Sequence, residues 1–349
     1  MIAYQNIIAA TDVDRRDLFV TAAQRFGTTV QNIEKDFWVC WTLDALFHRL
    51  TADGPRLLFK GGTSLSKGYN LISRFSEDID VTVFRADIGE AASVEDLEQL
   101  SKTKRRQRLD NIKSACQTYI NDTLQVELNA YAKQAMAAAG KDPAKLHIIP
   151  DPDDDDKQSL LIYYPSIVET PGYVEPFVKI ESGAKSALDP HETRTIVPYL
   201  AGDVRDGDAL NVPGVITIDP ERTFLDKILI LHGLPIFFGI HGRLYGNGQM
   251  SRHYYDVHRM MDGAVGKKAC TDEALIESCV RHARMFFHRK DTGLEYVKRG
   301  SFQLKPSEAM LDTLRRDYAA MATMIFGEVP TFEAVLESVA DAEERLNAI

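Results

Sequence analysis

LLFKGGTSLSKGYNLISRFSEDIDVTVF, residues 57–84, decides how this chain is read. A short apolar strand, Leu57 to Phe59, runs into Lys60-Gly61-Gly62-Thr63-Ser64, and one to two turns of helix are expected next. A second strand is expected from Asp78 to Phe84. Residues i and i+2 of a strand share a face, so Asp78 and Asp80 project together while Ile79 and Val81 face the core. Neighbouring carboxylates repel one another unless a cation neutralises them. A hard divalent ion, Mg²⁺ or Mn²⁺, suits such a pair, because it takes a few carboxylates plus phosphate oxygens. A Gly-Gly turn lets backbone N–H groups come close to a phosphate. The combination points to a metal-bound nucleoside triphosphate.

Each half of the motif has a plainer reading. Gly61-Gly62 could be a simple strand-to-helix connection, and Asp78-x-Asp80 a solvated strand end. Their order and spacing, with Arg74-Phe75-Ser76-Glu77 leading into the acids, favour a site. The stretch contains neither the GxxxxGK[ST] of a P-loop nor the GxGxxG of a dinucleotide fingerprint. Ser64 and Ser66 offer further hydroxyls, Thr63 holds the hydroxyl position after the glycines, and Ser76 lies one same-face step before Asp78.

KGGTSLSKGY followed by RFSEDIDV resembles the AbiEii/AbiGii toxin family, which includes the MenT toxins, within the DNA polymerase β-type nucleotidyltransferases. Three further segments are similar to that family in order: Pro176 to Ala184, its middle strand; RTFLDKILILH, Arg222 to His232, its lysine helix; and SRHYYDVHRM, Ser251 to Met260, its acidic C-terminal motif. The resemblance spans about residues 30 to 262. It implies an α/β (α+β) fold, a mixed sheet flanked by helices with a helical C-terminal part. It also implies metal-dependent transfer of a nucleotide, with a separately encoded antitoxin as partner.

The same resemblance raises single residues. Polymerase-type transferases commonly place a third carboxylate on a neighbouring strand, and Glu181 holds that position; alternatively Glu181 is an exposed strand-end residue paired with Lys179. Lys227 sits among Phe224, Leu225, Ile228 and Leu229, where a lysine can extend its ammonium to solvent or contact phosphate. The resemblance implies the second. Asp256 would orient Lys227 or act as a further carboxylate, Arg252 is a phosphate ligand by charge, and His253 and His258 read as structural.

With 349 residues, 44% hydrophobic and 26% charged, the chain can build one large or two medium domains. No run is expected to span a bilayer, and the N-terminus lacks a secretory pattern, so a cytoplasmic home is expected. Cys40, Cys116, Cys270 and Cys279 are scattered without a CxxC pair, which argues against a zinc site or a disulfide framework. The net charge of −10 argues against a surface that clamps nucleic acid everywhere. Two basic clusters, Lys102 to Arg108 and Arg281 to Lys290, read first as solvated helix surfaces. Asp151 to Asp156 lacks the glycine turn of an EF-hand and reads as an exposed loop.

Along the chain, residues 12–50 read as helices, with Asp12 and Asp14 capping the first and Val30 to Leu50 packing in the core. Residues 93–139 are helix-rich. Leu160 to Tyr164, Val174 to Ile180 and Val215 to Ile218 read as strands, and Pro198 to Gly214 as a loop. Asp219-Pro220-Glu221 opens a helix, after which nearly everything reads helical. The expected division is a nucleotidyltransferase domain over 1–215 and a helical domain over 216–349 that contributes Lys227 and Asp256. The expected activity is transfer of a nucleotide from an NTP to an acceptor, the tRNA 3′ end being one known for some members. Two other readings stay open: a non-catalytic NTP-binding interaction protein, and a phosphotransferase that moves the γ-phosphate.

Overall fold

The computed structural model describes residues 2–51, 53–168, 176–245 and 248–348. The chain divides into two compact units: Met1–Tyr69, Phe75–Ala92 and Lys102–Thr217 form one, and Asn70–Arg74, Ser93–Ser101 and Ile218–Ile349 the other.

The first unit begins with three helices, α1 (Ile2–Ala9), α2 (Asp12–Phe26) and α3 (Val30–His48). The helix at Asp12 is thus the second, and its cap is Thr11, whose hydroxyl accepts the Asp14 N–H; Asp12 and Asp14 instead supply first-turn negative charge. Gly27, at φ 63, closes α2 in the left-handed region. Helix α3 buries Phe37, Trp38 and Trp41. Trp38 stacks on Tyr164 at 5.4 Å and Trp41 on Tyr131 at 5.3 Å.

A seven-stranded mixed sheet follows, in the order β3-β4-β5-β2-β1-β7-β6. Its strands are β1 (Leu57–Lys60), β2 (Ile79–Val83), β3 (His147–Pro150), β4 (Ser159–Tyr163), β5 (Phe177–Gly183), β6 (His191–Ile196) and β7 (Val212–Ile218). Between β1 and β2 come a helical turn, α4 (Gly61–Thr63), and a π-helical turn over Ser64–Gly68. Between β2 and β3 lie α5 (Val94–Glu98), which belongs to the second unit, α6 (Lys102–Thr118) and α7 (Gln125–Ala138).

Strand β1 is antiparallel to β2 with Lys60 opposite Asp80, and β2 is parallel to β5 with Asp80 beside Glu181. Directly paired residues share a face of the sheet, so Lys60, Asp80 and Glu181 form one row across three strands. Ile79 and Val81, at 0% exposure, fill the opposite face as the alternation requires.

Several boundaries differ from the sequence reading. Strand β2 starts at Ile79, so Asp78 stands just before it. Strand β7 starts at Val212, inside the expected loop, because Leu210, Val212 and Val215 bury their side chains. The edge strands β3 and β6 went unread: His147–Pro150 ends in proline, and His191–Ile196 is largely polar and exposed. The strand expected over Val174 to Ile180 begins outside the described residues, and its described part is β5.

The second unit is helical: α8 (Pro220–His241), α9 (Ser251–Asp262), α10 (Ala264–Ala269), α11 (Glu273–Phe286), α12 (Glu308–Met321) and α13 (Phe332–Asn347). Asp219 occupies the N-cap position of α8 without a side-chain capping bond, while Pro220 sets the first helical turn. Contrary to the reading that no run could span a bilayer, α8 is long and apolar enough by length and composition, and 61% of its most apolar window is buried within the protein. Helix α13 turns Phe332, Val335, Val339, Ala342 and Leu346 inward. The segment Asn70–Arg74 pairs with the stretch after α12: Arg74 bridges Ile325, and Phe326 N–H donates to Ser73 O at 2.7 Å.

Candidate active site

The glycine turn is shaped by what it touches. Gly61 has φ +76, a conformation that strains any side chain, and a Cβ there would lie 1.9 Å from Asp80 Oδ2. Only glycine brings the backbone this close to the carboxylate. Lys60 Nζ stands 3.5 Å from Asp80 Oδ1, a positive group beside the acid.

The hydroxyls of the turn point into the protein, which corrects their expected role. Thr63 is fully buried; its hydroxyl bonds the Asp78 carbonyl and lies 2.9 Å from the Ser76 hydroxyl. The Ser64 hydroxyl donates to Gly61 O at 2.9 Å, and that of Ser66 to Thr63 O at 3.2 Å. Thr63 and Ser76 therefore tie the turn to the approach of β2, while Ser64 and Ser66 brace the turn itself. The backbone of Gly61 and Gly62 is the part left for a phosphate.

The acids crowd one another. Burial first, then the charges of Glu77, Glu181 and Asp80, push the Asp78 carboxyl up from 3.8 to about 7, with Lys35 opposing them. Glu181 contributes to this field and also pairs with Lys179 at 3.1 Å, the pairing that its plainer reading expected. Lys179 pairs at 3.0 Å with Asp151 as well, whose side chain is only 7% exposed. The acidic stretch from Asp151 is thus a built turn rather than a bare loop, with Asp151 accepting the Asp153 N–H and Asp154 those of Asp156 and Gln158.

Among the described residues no three His, Cys, Asp or Glu side chains converge to cage a metal. The donor set at Asp78 and Asp80 nonetheless fits Mg²⁺ or Mn²⁺. It offers hard oxygens among several carboxylates, and such ions fill their remaining positions with water and phosphate.

The residues flanking this site were not legible as functional. Helix α3 carries Glu34, Lys35 and Asp36, each at most 2% exposed, where a plain core helix was expected. The Glu34 carboxylate accepts from the Ser166 hydroxyl at 2.7 Å and the Ile167 N–H at 2.8 Å. Lys35 forms an ion pair with Glu77, and Asp36 pairs with Lys67 at 2.6 Å. No periodicity betrays such partners, because each lies dozens of residues away.

In the second unit, Lys227 does not reach solvent. It is 6% exposed and bonds Asp256 Oδ2 at 2.9 Å. Arg74 grips the same carboxylate from Nε and Nη2, both at 2.8 Å. Burial works to raise the Asp256 pKa, but Arg74 and Lys227 outweigh it and hold the carboxyl far below its ordinary range. With its oxygens so engaged and 0% exposure, Asp256 orients Lys227 rather than serving as a free carboxylate. Burial, followed by the charges of Arg74 and Arg252, lowers the Lys227 pKa despite Asp256. Arg252 leaves Nε buried without a hydrogen-bond partner, and His253 Nδ1 is likewise unmatched. Burial and the cations around it keep His253 neutral. Arg74 was the unread member of this group; its partner lies 182 positions on.

Part of each basic cluster is paired with acids within the protein. Arg281 pairs with Glu95 and Glu98, Arg289 with Asp291, and Arg108 with Glu90. All four cysteines are buried free thiols.

The family model described as "Nucleotidyl transferase AbiEii toxin, Type IV TA system" matches residues 44–338. No curated protein matches the chain. Among solved structures, it is similar to MenT4, a nucleotidyltransferase toxin of Mycobacterium tuberculosis, at 15% identity and TM-score 0.50, over 96% of this chain and 90% of that one. At that identity the likeness speaks for the fold. The match across most of the chain establishes the rest: this protein belongs to the AbiEii family, the nucleotidyltransferase toxins of type IV toxin–antitoxin systems.

Proposed function

We propose that the protein is a Mg²⁺- or Mn²⁺-dependent transferase that moves a nucleoside monophosphate from an NTP to an acceptor hydroxyl and releases pyrophosphate. The packing of Gly61 against Asp80, beside the mutually repelling Asp78 and Glu181, carries this reading. Asp78 and Asp80 would hold the ion, which when bound neutralises the triphosphate and polarises its α-phosphorus. The backbone of Gly61 and Gly62 would receive phosphate oxygens, and Lys60 would add positive charge. Lys227, kept in place by Asp256, is proposed to stabilise charge developing on the transferred group, with Arg252 as a further phosphate ligand. That assignment draws on the likeness of its helix to the family's lysine helix.

The proposed acceptor is RNA, with the 3′ end of tRNA as its specific form, and the proposed setting is the cytoplasm with a separate antitoxin. The test is incubation with each labelled NTP and total cellular RNA in the presence of Mg²⁺. One RNA band gains label, pyrophosphate rather than NDP appears, and Asp80→Ala abolishes both while keeping the fold. Undiminished transfer by Asp80→Ala sinks the assignment.

A further inference from the structure

We infer that Lys35 and Asp36 of α3 are positioning residues that together set the span between the phosphate turn and the acid-bearing strand, an inference that rests on the function proposed above. Successive helix residues point about 100° apart, so one short stretch of α3 can hold two different segments. Lys35 takes Glu77, the residue directly before Asp78. Asp36 takes Lys67 at 2.6 Å, at the end of the π-helical turn that continues from Gly61-Gly62-Thr63, and also accepts the Tyr199 N–H at 2.6 Å. The Lys67 ammonium lies 3.6 Å from the centre of the Tyr199 ring, which closes the far side of the pair.

Three features separate this clamp from ordinary packing. The side chains of Lys35, Asp36 and Lys67 are 2%, 2% and 3% exposed, and ion pairs so buried add little stability over apolar residues of the same size. What they add is direction, since each pair fixes two backbones at one distance and angle. The π turn is a single short irregularity at Ser64–Gly68, of the kind that recurs at functional sites. Finally, Gly61 meets Asp80 with no slack, so a small slide of the turn against β2 would separate the groups that must act together.

Full-length Lys35→Met and Asp36→Asn test the clamp with two readouts. Hydrogen exchange followed by mass spectrometry is expected to speed up over residues 76–80 in the first variant and over 61–68 in the second. Single-turnover transfer, normalised to folded protein, is expected to fall by roughly ten- to a hundredfold with little change in KM for NTP. The exchanged pair Asp36→Lys with Lys67→Asp is expected to recover part of the rate. Should the single variants fail to fold, the apolar pair Asp36→Leu with Lys67→Met restores packing; wild-type transfer by that protein overturns the inference. Unchanged exchange in both segments also overturns it. If the wild-type protein transfers no nucleotide, the proposed function falls, while the exchange measurements still decide whether the clamp exists.

Discussion

Gly61 and Asp80 touch across β1 and β2 so closely that a single added methyl would lie 1.9 Å from the carboxylate oxygen. The contact is backbone against acid, and it makes one glycine answerable for the position of the Asp80 side chain, the proposed metal ligand. Gly61→Ala is expected to lose transfer by on the order of a hundredfold or more, because Asp80 must swing away. Its folded structure should survive, since a left-handed alanine costs only about 1–2 kcal/mol. Circular dichroism and a transfer assay on the same preparation check this; an active Gly61→Ala protein contradicts it.

Asp80 and Glu181 are paired neighbours, yet they should not weigh equally. Glu181 is 44% exposed and shares Lys179, whereas Asp80 packs on the turn. Glu181→Gln is expected to lower the transfer rate by about tenfold, against a loss of about a thousandfold or more for Asp80→Asn. Equal losses would make Glu181 a full partner in holding the metal.

Asp256 binds two buried cations, Arg74 and Lys227, and removing it breaks both pairs at once. Asp256→Ala is expected to destabilise the protein by about 3–5 kcal/mol. Lys227→Met should be milder, because Arg74 still satisfies the carboxylate. Urea unfolding measured side by side gives the ranking, and transfer assays on the folded fractions should show both variants impaired.

The Asp78 carboxyl gives a pH signature. Its pKa in the folded protein is raised from 3.8 to about 7, so between those values the native state keeps a proton that the unfolded chain has released. Stability should therefore fall as pH rises through this window, and the full loss is present above pH 7. A divalent ion competes with that proton, so its stabilising effect should grow as pH passes 7. Melting curves at several pH values, with and without Mg²⁺, test both trends. Asp78→Asn should flatten them.

The sequence disclosed whatever depends on local order. The glycine turn, the Asp78–Asp80 pair, the alternation of β2 and the apolar stripe of α13 all follow from spacing within a dozen residues. Glu34, Lys35, Asp36, Lys67 and Arg74 were opaque for the opposite reason. A charged residue that is buried looks on paper like one that is solvated, and only its distant partner tells them apart. The hydroxyls of Thr63 and Ser64 show the converse error, since chemistry-bearing groups next to a site were spent on building it. The edge strands β3 and β6 lacked the hydrophobic alternation that marks a strand buried on one face.

The parallel pairing of β2 with β5 ties the candidate site to the order in which the chain is made. Asp80 meets Glu181 only after about a hundred further residues have been made, and β1 waits longer still for Thr217 of β7. Pairings this remote in sequence form slowly, because the intervening chain must surrender its entropy before the contact repays it. A nascent chain that ends soon after β2 can pair it with β1 but still lacks β5 and β7 on either side. Assembly order thus completes the row of Lys60, Asp80 and Glu181 only once β5 has been made.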